Sequence, residues 1–238
     1  MYGVNLTLNL DFRVKSNRMK GVFDLPHSIG KQVRTAALTF DDELKVEAML
    51  HGAVIAGDLD YQLRKDRIDP DLLERVVATD DLEFEFRKSS RLRSRLKKAK
   101  LLPDVDYKTL VPADDFSEAV YKHTHGIFRP YSTDRHGNVT TALGQMRMEE
   151  SQIAENLTAV LEQIFRDRPD CFGTGPSRKL KHMGVFVLGM HITSSKNLSL
   201  PLDLDSFPIL QKKNRRIPPG GDELKVSKTT LKSIQNSL

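Results

Sequence analysis

The sequence predicts an α/β protein made of two parts with different patterns. Strand and helix patterns alternate from Gln32 to His123, an order typical of a parallel sheet covered by helices on both faces. At Gly126 the pattern changes to strand, turn and strand, followed by one long amphipathic helix and a buried strand. With 238 residues, the chain is long enough for one large domain or two smaller ones.

The first strand is predicted over Val4–Leu10, where apolar residues alternate with the polar, uncharged residues Asn5, Thr7 and Asn9. This alternation indicates a half-buried strand with one polar face. The polar face could contact the sugars and phosphates of a nucleic acid, or it could be an ordinary solvated sheet surface. Periodicity does not separate the two interpretations.

Short strands and helices are predicted to continue the first part up to Gly126. The strands are predicted at Gly21–Leu25, Gln32–Thr39, Ala53–Ala56 and Val76–Ala78, with short extended pieces at Leu101–Pro103 and Leu110–Pro112. The helices are predicted at Asp41–His51, Tyr61–Arg67, Pro70–Glu74 and Asp114–His123. In the helix at Asp41–His51, Leu44, Val46, Met49 and Leu50 have helical spacing.

The second part begins with strands at Gly126–Tyr131 and Val139–Leu143, joined by a turn at Thr133–Asn138. The best helix in the sequence follows, because Ile153, Leu157, Val160, Leu161 and Ile164 form a single apolar stripe. A loop over Phe172–Met183 and a buried strand over Val185–Ile192 come next. The residues from Gln211 onward are predicted to form a flexible, basic tail.

Charge is distributed unevenly along the chain. The formal net charge is +5, yet Arg87–Lys100 contains eight basic residues and no acidic one. The basic tail adds further positive charge, so the remainder is net acidic. Basic patches on an acidic body favour a polyanionic partner. Within the first patch, Arg91, Arg93, Arg95, Lys97, Lys98 and Lys100 form either a solvated amphipathic helix or a nucleic-acid surface, and the lack of acidic residues favours RNA.

The motifs do not support catalysis, a metal or a cofactor. Gly30-Lys31 lacks the second glycine and the Ser or Thr that a phosphate-binding loop requires, since Leu25 and Gln32 occupy those positions. His123 and His125 have no third ligand nearby, and Cys171 has no paired histidine in its local motif. No run of about 20 apolar residues predicts a membrane span.

Six segments, in order, carry a resemblance to a known family. The first is the Leu25-Pro26-His27-Ser28-Ile29-Gly30-Lys31 run within Gly21–Arg34. The others are Ala78–Asp81, Leu101–Asp104, Gly126–Arg129 leading to Gly137, Leu143–Gln145 with Glu155–Leu157, and Ile192–Leu200. Together they resemble the bacterial-type large-subunit ribosomal protein L1 family over about residues 3–203.

The resemblance implies a fold and a non-enzymatic function. It implies a discontinuous two-layer α/β RNA-binding domain of residues 1–28 and 126–210, and an inserted three-layer, Rossmann-like domain of residues 29–125. Residues 211–238 would form a basic extension. The implied partners are the ribosomal RNA helices of the mobile L1 stalk near the E site, transient E-site tRNA, whose release the protein would assist, and other ribosomal proteins. No membrane partner is implied.

Residue by residue, the resemblance and the polar strand together give a candidate RNA-binding set. Its members are polar or basic: Asn5, Thr7, Asn9, Lys31, Arg34, Asp134, Arg135, Thr193, Ser194, Ser195, Lys196 and Asn197. Arg135 and Lys196 are expected to neutralise phosphates, while hydroxyl and amide groups contact sugar 2′-hydroxyls.

Departures from the family pattern favour a mitochondrial ribosome, with a bacterial or plastid ribosome as the alternative. Ser195-Lys196-Asn197 replaces the family's Thr-Met-Gly tip, and Lys97–Lys100 replaces its Gly-Pro-Arg-Gly stretch. The family's leading helix would lie before Met1. Two other functions stay open: a ribosome-assembly factor of the same fold, and a nucleotide or small-ligand enzyme on the inserted domain.

Overall fold

The computed structural model describes residues 1–11, 18–57, 72–88, 90–169, 172, 184–194 and 198–214. In this part of the chain the strands are β1 (Tyr2–Leu8), β2 (Lys20–Asp24), β3 (Thr35–Leu38), β4 (Ile55–Gly57), β5 (Arg75–Thr79), β6 (Leu110–Val111), β7 (Phe128–Ser132), β8 (Asn138–Gly144), β9 (Val187–Ser194) and β10 (Ser199–Pro201). The α-helices are α1 (Asp42–Leu50), α2 (Glu83–Lys88), α3 (Ser90–Lys98), α4 (Ala113–Thr124), α5 (Glu150–Arg166) and α6 (Pro208–Lys213).

An antiparallel sheet joins strands from both ends of the described chain, in the order β10-β9-β1-β8. β1 is central and pairs with β8 on one side and with β9 on the other. Val4, Leu6 and Leu8 of β1 are buried, so the predicted alternation is confirmed from Val4 to Leu8. The opening strand and the strand near residue 190 therefore belong to one sheet.

Helix α5 packs on the apolar face of this sheet and forms the larger core. Leu157, Val160, Leu161 and Ile164 of α5 are buried in one cluster with the apolar residues of β1 and with Met190 of β9. The predicted helix and its apolar stripe are confirmed. The cluster takes its members from residues 4–29 and 131–210, so both chain ends contribute to it.

A separate two-stranded ribbon of β2 and β7 adds to this core. The rings of Phe23 and Tyr131 stack with centroids 4.2 Å apart. The sequence places the strands at Gly126–Tyr131 and Val139–Leu143 on either side of one turn. The structure shows that β7 and β8 belong to different sheets, because β2 pairs with β7 while β1 pairs with β8.

The middle of the chain forms a parallel sheet in the order β4-β3-β5-β6. One face packs against α1 and α4 in a cluster that includes Ala37, Val77 and Phe116. The other face packs against α2 and α3 in a cluster that includes Val76 and Leu96. The alternating pattern therefore predicted this helix-covered parallel sheet correctly.

Several predicted elements change or lie outside the described residues. In α1 the buried residue is Ala48, whereas Val46, Met49 and Leu50 are exposed. Leu101–Pro103 is not a strand. The predicted helix at 61–67, residues 70–71 of the predicted helix at 70–74 and the loop at 173–183 lie outside the described residues, and residues 72–74 are not an α-helix. Asn214 is anchored to β9, since the Val187 amide donates to its Oδ1 at 2.6 Å, and residues 215–238 are outside the described part.

Candidate nucleic-acid interface

The outer face of the antiparallel sheet carries polar, uncharged side chains. Because successive strand residues point to opposite faces, Asn5 and Thr7 lie opposite the buried side of β1. In β8, Thr140 faces Asn5 and Asn138 faces Thr7. Thr7 Oγ1 and Asn138 Oδ1 are 3.0 Å apart, and Thr140 Oγ1 and Asn5 Oδ1 are 3.5 Å apart.

Strand β9 extends this polar face on the other side of β1. His191 pairs with Asn5, and Thr193 pairs with Gly3. Ser199 of β10 then pairs with Thr193. The face therefore presents hydroxyl, amide and imidazole groups from segments that are far apart in the sequence. We call these residues the polar face: Asn5, Thr7, Asn138, Thr140, His191, Thr193 and Ser199.

A depression of about 370 Å³ lies at one end of the polar face. Its lining includes Gly3, Thr140, Thr193 and Ser194 of the sheet, together with Arg129 of β7. A Cβ at Gly3 would come within 2.9 Å of the Thr141 carbonyl oxygen, so only glycine fits there without a shift of the backbone. The depression thus combines hydroxyl groups with one guanidinium group.

Arg129 supplies positive charge beside the neutral face. Burial lowers the pKa of its guanidinium, while Glu74 partly opposes the shift. Its Nε is buried and makes no hydrogen bond in the described part of the chain. The guanidinium group is suited to donate hydrogen bonds to an anionic oxygen, because Arg presents its donors in a planar fork.

The turn before β8 holds Arg135 and His136 at the protein surface. The Asp134 carboxylate accepts hydrogen bonds from the His136 amide at 2.7 Å and the Asn138 amide at 2.8 Å. Desolvation opposes ionisation, but these bonds and the Asn138 side chain together lower the pKa of Asp134. Asp134 therefore shapes the turn, and the exposed Arg135 is the group that could reach a phosphate.

Asn9 does not belong to the polar face, so that part of the sequence prediction is wrong. β1 ends at Leu8, and the Asn9 side chain is only 3% exposed. Its Nδ2 donates to the Val185 carbonyl oxygen at 3.0 Å, and its backbone amide donates to the Phe186 carbonyl oxygen at 2.7 Å. Asn9 therefore binds the backbone just before β9, and its side chain does not point to solvent.

Lys31 and Arg34 both make ion pairs with Glu74. Lys31 Nζ lies 2.9 Å from a carboxylate oxygen of Glu74, and Arg34 Nε lies 3.9 Å from the other oxygen. The hydrogen bond from Lys31 is the main reason that the pKa of Glu74 is lowered. These two cations are therefore partly neutralised at the entrance to β5.

Thr193 and Ser194 of the candidate set are the last two residues of β9, which extends two residues beyond the predicted end at Ile192. Ser195, Lys196 and Asn197, the predicted tip, lie outside the described residues. The described residues therefore stop at Ser194 and resume at Leu198, just before β10.

The basic patch lies on α3 and just beyond it. Leu96 is buried against the parallel sheet, while Arg93, Lys97, Lys98 and Lys100 are exposed and Arg95 is half-buried. Arg91 lies on the same helix, with its side chain outside the described part. The structure therefore supports both open interpretations, a solvated helix face and a surface for a polyanion.

Sequence reasoning missed Arg129, Asn138, Thr140 and His191. Each lies on a strand that pairs with a strand far away in the sequence. More than 100 residues separate β1 from its partners β8 and β9. The alternation within β8 and β9 marked their outward positions, but not the sheet that they share with Asn5.

Within the described residues, no group of three or more His, Cys, Asp or Glu side chains is placed to hold a metal ion. None of the described helices is both long enough and apolar enough to cross a membrane.

The fold and the polar face define a mixed α/β protein whose antiparallel sheet presents a neutral polar surface next to basic groups. The family described as "Ribosomal protein L1p/L10e family" matches residues 3–187. The chain therefore belongs to this family.

Curated relatives agree with this assignment. The chain is 28% identical over 202 residues to the large ribosomal subunit protein uL1 of Dehalococcoides mccartyi, covering 84% of this chain and 78% of the relative. It is 28% identical over 208 residues to the uL1 protein of Actinobacillus succinogenes, covering 86% and 81%. It is 27% identical over 206 residues to that of Leuconostoc citreum, with the same coverage of 86% and 81%.

Proposed function

We propose that the protein is a structural constituent of the large ribosomal subunit and binds ribosomal RNA through the polar face. The observation that carries this proposal is the row of hydroxyl, amide and imidazole groups on β8, β1 and β9, bordered by Arg129 and Arg135. Folded RNA is recognised mainly through its shape, its phosphates and its 2′-hydroxyls, which such groups can contact. Family membership supports the same function.

The two kinds of group have different tasks in this proposal. Arg129 and Arg135 neutralise phosphates and supply most of the affinity, which therefore depends on salt. Thr140, His191 and Thr193 donate to or accept from sugar hydroxyls, so they distinguish RNA from DNA. Outside its basic patches the chain is net acidic, which disfavours RNA binding there.

The domain arrangement proposed from the resemblance is supported by the packing. One apolar cluster combines residues 4–29 with residues 131–210. The other two clusters contain residues from 36 to 120 only. Boundaries near Ser28 and Gly126 lie between these sets. We therefore propose an RNA-binding domain built from both chain ends and an inserted domain that contacts transient E-site tRNA and assists its release.

RNA affinity measured against salt tests the function. We expect the dissociation constant for a fragment of the stalk ribosomal RNA to rise steeply with salt. Arg135→Ala is expected to weaken binding and to reduce the slope of log affinity against log salt by about one. Thr140→Ala with His191→Ala is expected to weaken binding and leave the slope unchanged.

Arg166→Ala is the matched control, since Arg166 is an exposed cation at the end of α5, which packs on the side of the sheet opposite the polar face. The RNA affinity of this variant should equal that of the unchanged protein. A flat salt response, or equal effects of Arg135→Ala and Arg166→Ala, would contradict binding through the polar face.

The place of the protein in the particle is a separate question. Sedimentation with mature large subunits is expected for a structural constituent, whereas sedimentation with precursors alone would identify an assembly factor. The curated relatives are bacterial. A mitochondrial ribosome stays a proposal from the replaced motifs at Lys97–Lys100 and 195–197, and sedimentation from fractionated organelles tests it.

A further inference from the structure

A cleft of about 430 Å³ separates the parallel-sheet region from the β2–β7 ribbon. Arg75 at the start of β5 lines one wall, and Lys97 and Lys100 come from the end of α3 and the residues after it. The opposite wall is formed by Pro130–Ser132 of β7. Three cations therefore line one solvent-open cleft, one from β5 and two from the end of α3 and the residues after it.

The acidic residues of the cleft are already paired with other cations. Glu74 is 2.9 Å from Lys31 Nζ, and Asp104 is 3.2 Å from Lys20 Nζ. Lys20 also pairs with Asp106. Across the described residues, Arg75, Lys97 and Lys100 have no carboxylate oxygen within 4.0 Å. The cleft thus holds excess positive charge that described side chains do not neutralise.

The guanidinium group of Arg129 adds to the positive charge near the cleft, next to the wall that β7 forms. Arg129 precedes Pro130, and its Nε is buried without a hydrogen-bond partner among the described residues. Burial lowers the pKa of Arg75 and repulsion from Arg129 lowers it further, while attraction to Glu74 partly opposes these shifts. Two partly buried cations near each other are unfavourable unless an anion offsets them.

The backbone at Lys100 is also unusual. Its φ of 59° lies in the left-handed region that favours glycine. This conformation ends α3, since the Lys100 amide donates to the Lys97 carbonyl oxygen at 3.1 Å and the Leu101 amide donates to the Leu96 carbonyl oxygen at 2.8 Å. Here the conformation occurs at a lysine that lines the cleft.

We propose that the cleft binds a phosphate group through Arg75, Lys97 and Lys100, with the Ser132 hydroxyl as a neutral partner. The planar fork of Arg75 matches two phosphate oxygens, while the two lysines act as point charges. The bound phosphate would join β5, the end of α3 and β7. Its source is either free inorganic phosphate or a phosphodiester of RNA, and the site does not depend on RNA binding by the polar face.

Thermal unfolding of the full chain tests the site with inorganic phosphate as the probe. Calorimetry in phosphate and in chloride at equal ionic strength should show a higher Tm in phosphate for the unchanged protein. Lys97→Gln with Lys100→Gln should lose most of this rise, and both side chains are exposed, so the fold should survive. Arg75→Gln should lose it as well.

Lys98→Gln is the matched control, because Lys98 is exposed on the same helix but does not line the cleft. It should keep the full phosphate-dependent rise. Equal Tm values in phosphate and chloride, or equal losses for Lys98→Gln and the double variant, would overturn the proposal.

RNA binding by the same variants identifies the source. A phosphodiester source predicts that the double variant has a smaller salt slope for RNA than Lys98→Gln, by about one for each lost contact. A free phosphate source predicts equal RNA affinity for the two. The polar face is tested separately by Arg135→Ala, so failure of one proposal leaves the other measurable.

Discussion

At the scale of single residues, two glycines on the antiparallel sheet differ in the space around them. A Cβ at Gly3 would lie 2.9 Å from the Thr141 carbonyl oxygen, whereas the nearest atom to a Cβ at Gly189 is His191 Cε1 at 3.9 Å. We expect Gly3→Ala to lower the free energy of unfolding by about 1–3 kcal/mol. Gly189→Ala should be neutral or stabilising by up to about 1 kcal/mol. Urea unfolding followed by circular dichroism measures both, and equal effects would contradict this packing.

His123 should make stability depend on pH. It is buried, its Nε2 donates to the Lys108 carbonyl oxygen at 2.9 Å, and its Nδ1 has no partner in the described structure. Burial lowers the pKa of His123 to about 4. The unfolded chain, with a pKa near 6.5, therefore binds a proton in a range where the folded chain does not.

The contribution of neutral His123 to the free energy of unfolding is complete above about pH 7. It is lost as the pH falls from about 6.5 towards 4, by up to about 3 kcal/mol. His123→Gln keeps a donor for Lys108 and does not titrate. Urea unfolding at a series of pH values should therefore show a smaller loss of stability in the variant. Parallel pH profiles for the two proteins would contradict the assignment.

Asn9 shows where residue-level prediction from sequence fails. Its place in the alternation with Asn5 and Thr7 predicts an exposed side chain, but the strand ends one residue earlier. The side chain instead bonds to Val185, which is 176 residues away along the chain. The alternation of residues predicts that a strand forms, but it does not predict where contacts with a distant segment end that strand.

At the scale of elements, Asn156 connects α5 to two other segments. It is fully buried, its Nδ2 donates to the carbonyl oxygens of Leu143 at 2.8 Å and His27 at 3.1 Å, and its Oδ1 accepts from the His27 amide at 3.0 Å. Asn156→Leu would leave these backbone groups buried without partners. We expect a loss of about 2–4 kcal/mol in the free energy of unfolding, measured with urea.

Glu155→Ala provides the comparison for Asn156→Leu. Glu155 meets His27 Nε2 at 2.6 Å, but its side chain is 61% exposed. An exposed pair of this kind contributes about 0–1 kcal/mol. If the two substitutions cost the same, the buried amide does not hold α5 as described.

Helices α1 and α5 show what sequence patterns reveal about elements. The large apolar residues of α5 form one stripe and are buried, as predicted. In α1, Val46 and Leu50 are 62% and 81% exposed, while Ala48 is buried beside the small residues Ala37 and Ala53. Hydrophobic spacing therefore overestimates the burial of large side chains where a helix packs on a sheet through alanines.

At the scale of the whole molecule, separate apolar clusters predict separate units of stability. Leu161 lies in the cluster beneath the antiparallel sheet, and Leu82 lies in one beside the parallel sheet. Both are fully buried, so replacement by Ala should cost about 2–5 kcal/mol in each case.

Hydrogen exchange locates each loss. Leu161→Ala should speed amide exchange in β1 and β9 and leave β3 and β5 nearly unchanged, while Leu82→Ala should do the reverse. Uniform acceleration over both sheets by either variant would show a single cooperative unit instead.

The overall architecture was more predictable than the site. Alternating strands and helices predicted the parallel sheet, and the ordered motifs supplied the family. To predict the polar face, one would need the strand register that places His191 and Thr140 on either side of Asn5. That register depends on pairing between distant segments of the chain. Arg129 was hidden for the same reason, because it lies on β7, outside that sheet.

The position of β1 between β8 and β9 has a consequence for synthesis on the ribosome. β1 leaves the exit tunnel long before β9, so one of its partners is complete only when Ser194 has been translated. All described strands of the parallel sheet have been synthesised once Val111 is translated. The parallel sheet can therefore fold while β1 is still without its partner β9. The nascent chain therefore carries Val4, Leu6 and Leu8 exposed for most of its elongation, and chaperones have their longest opportunity to bind there.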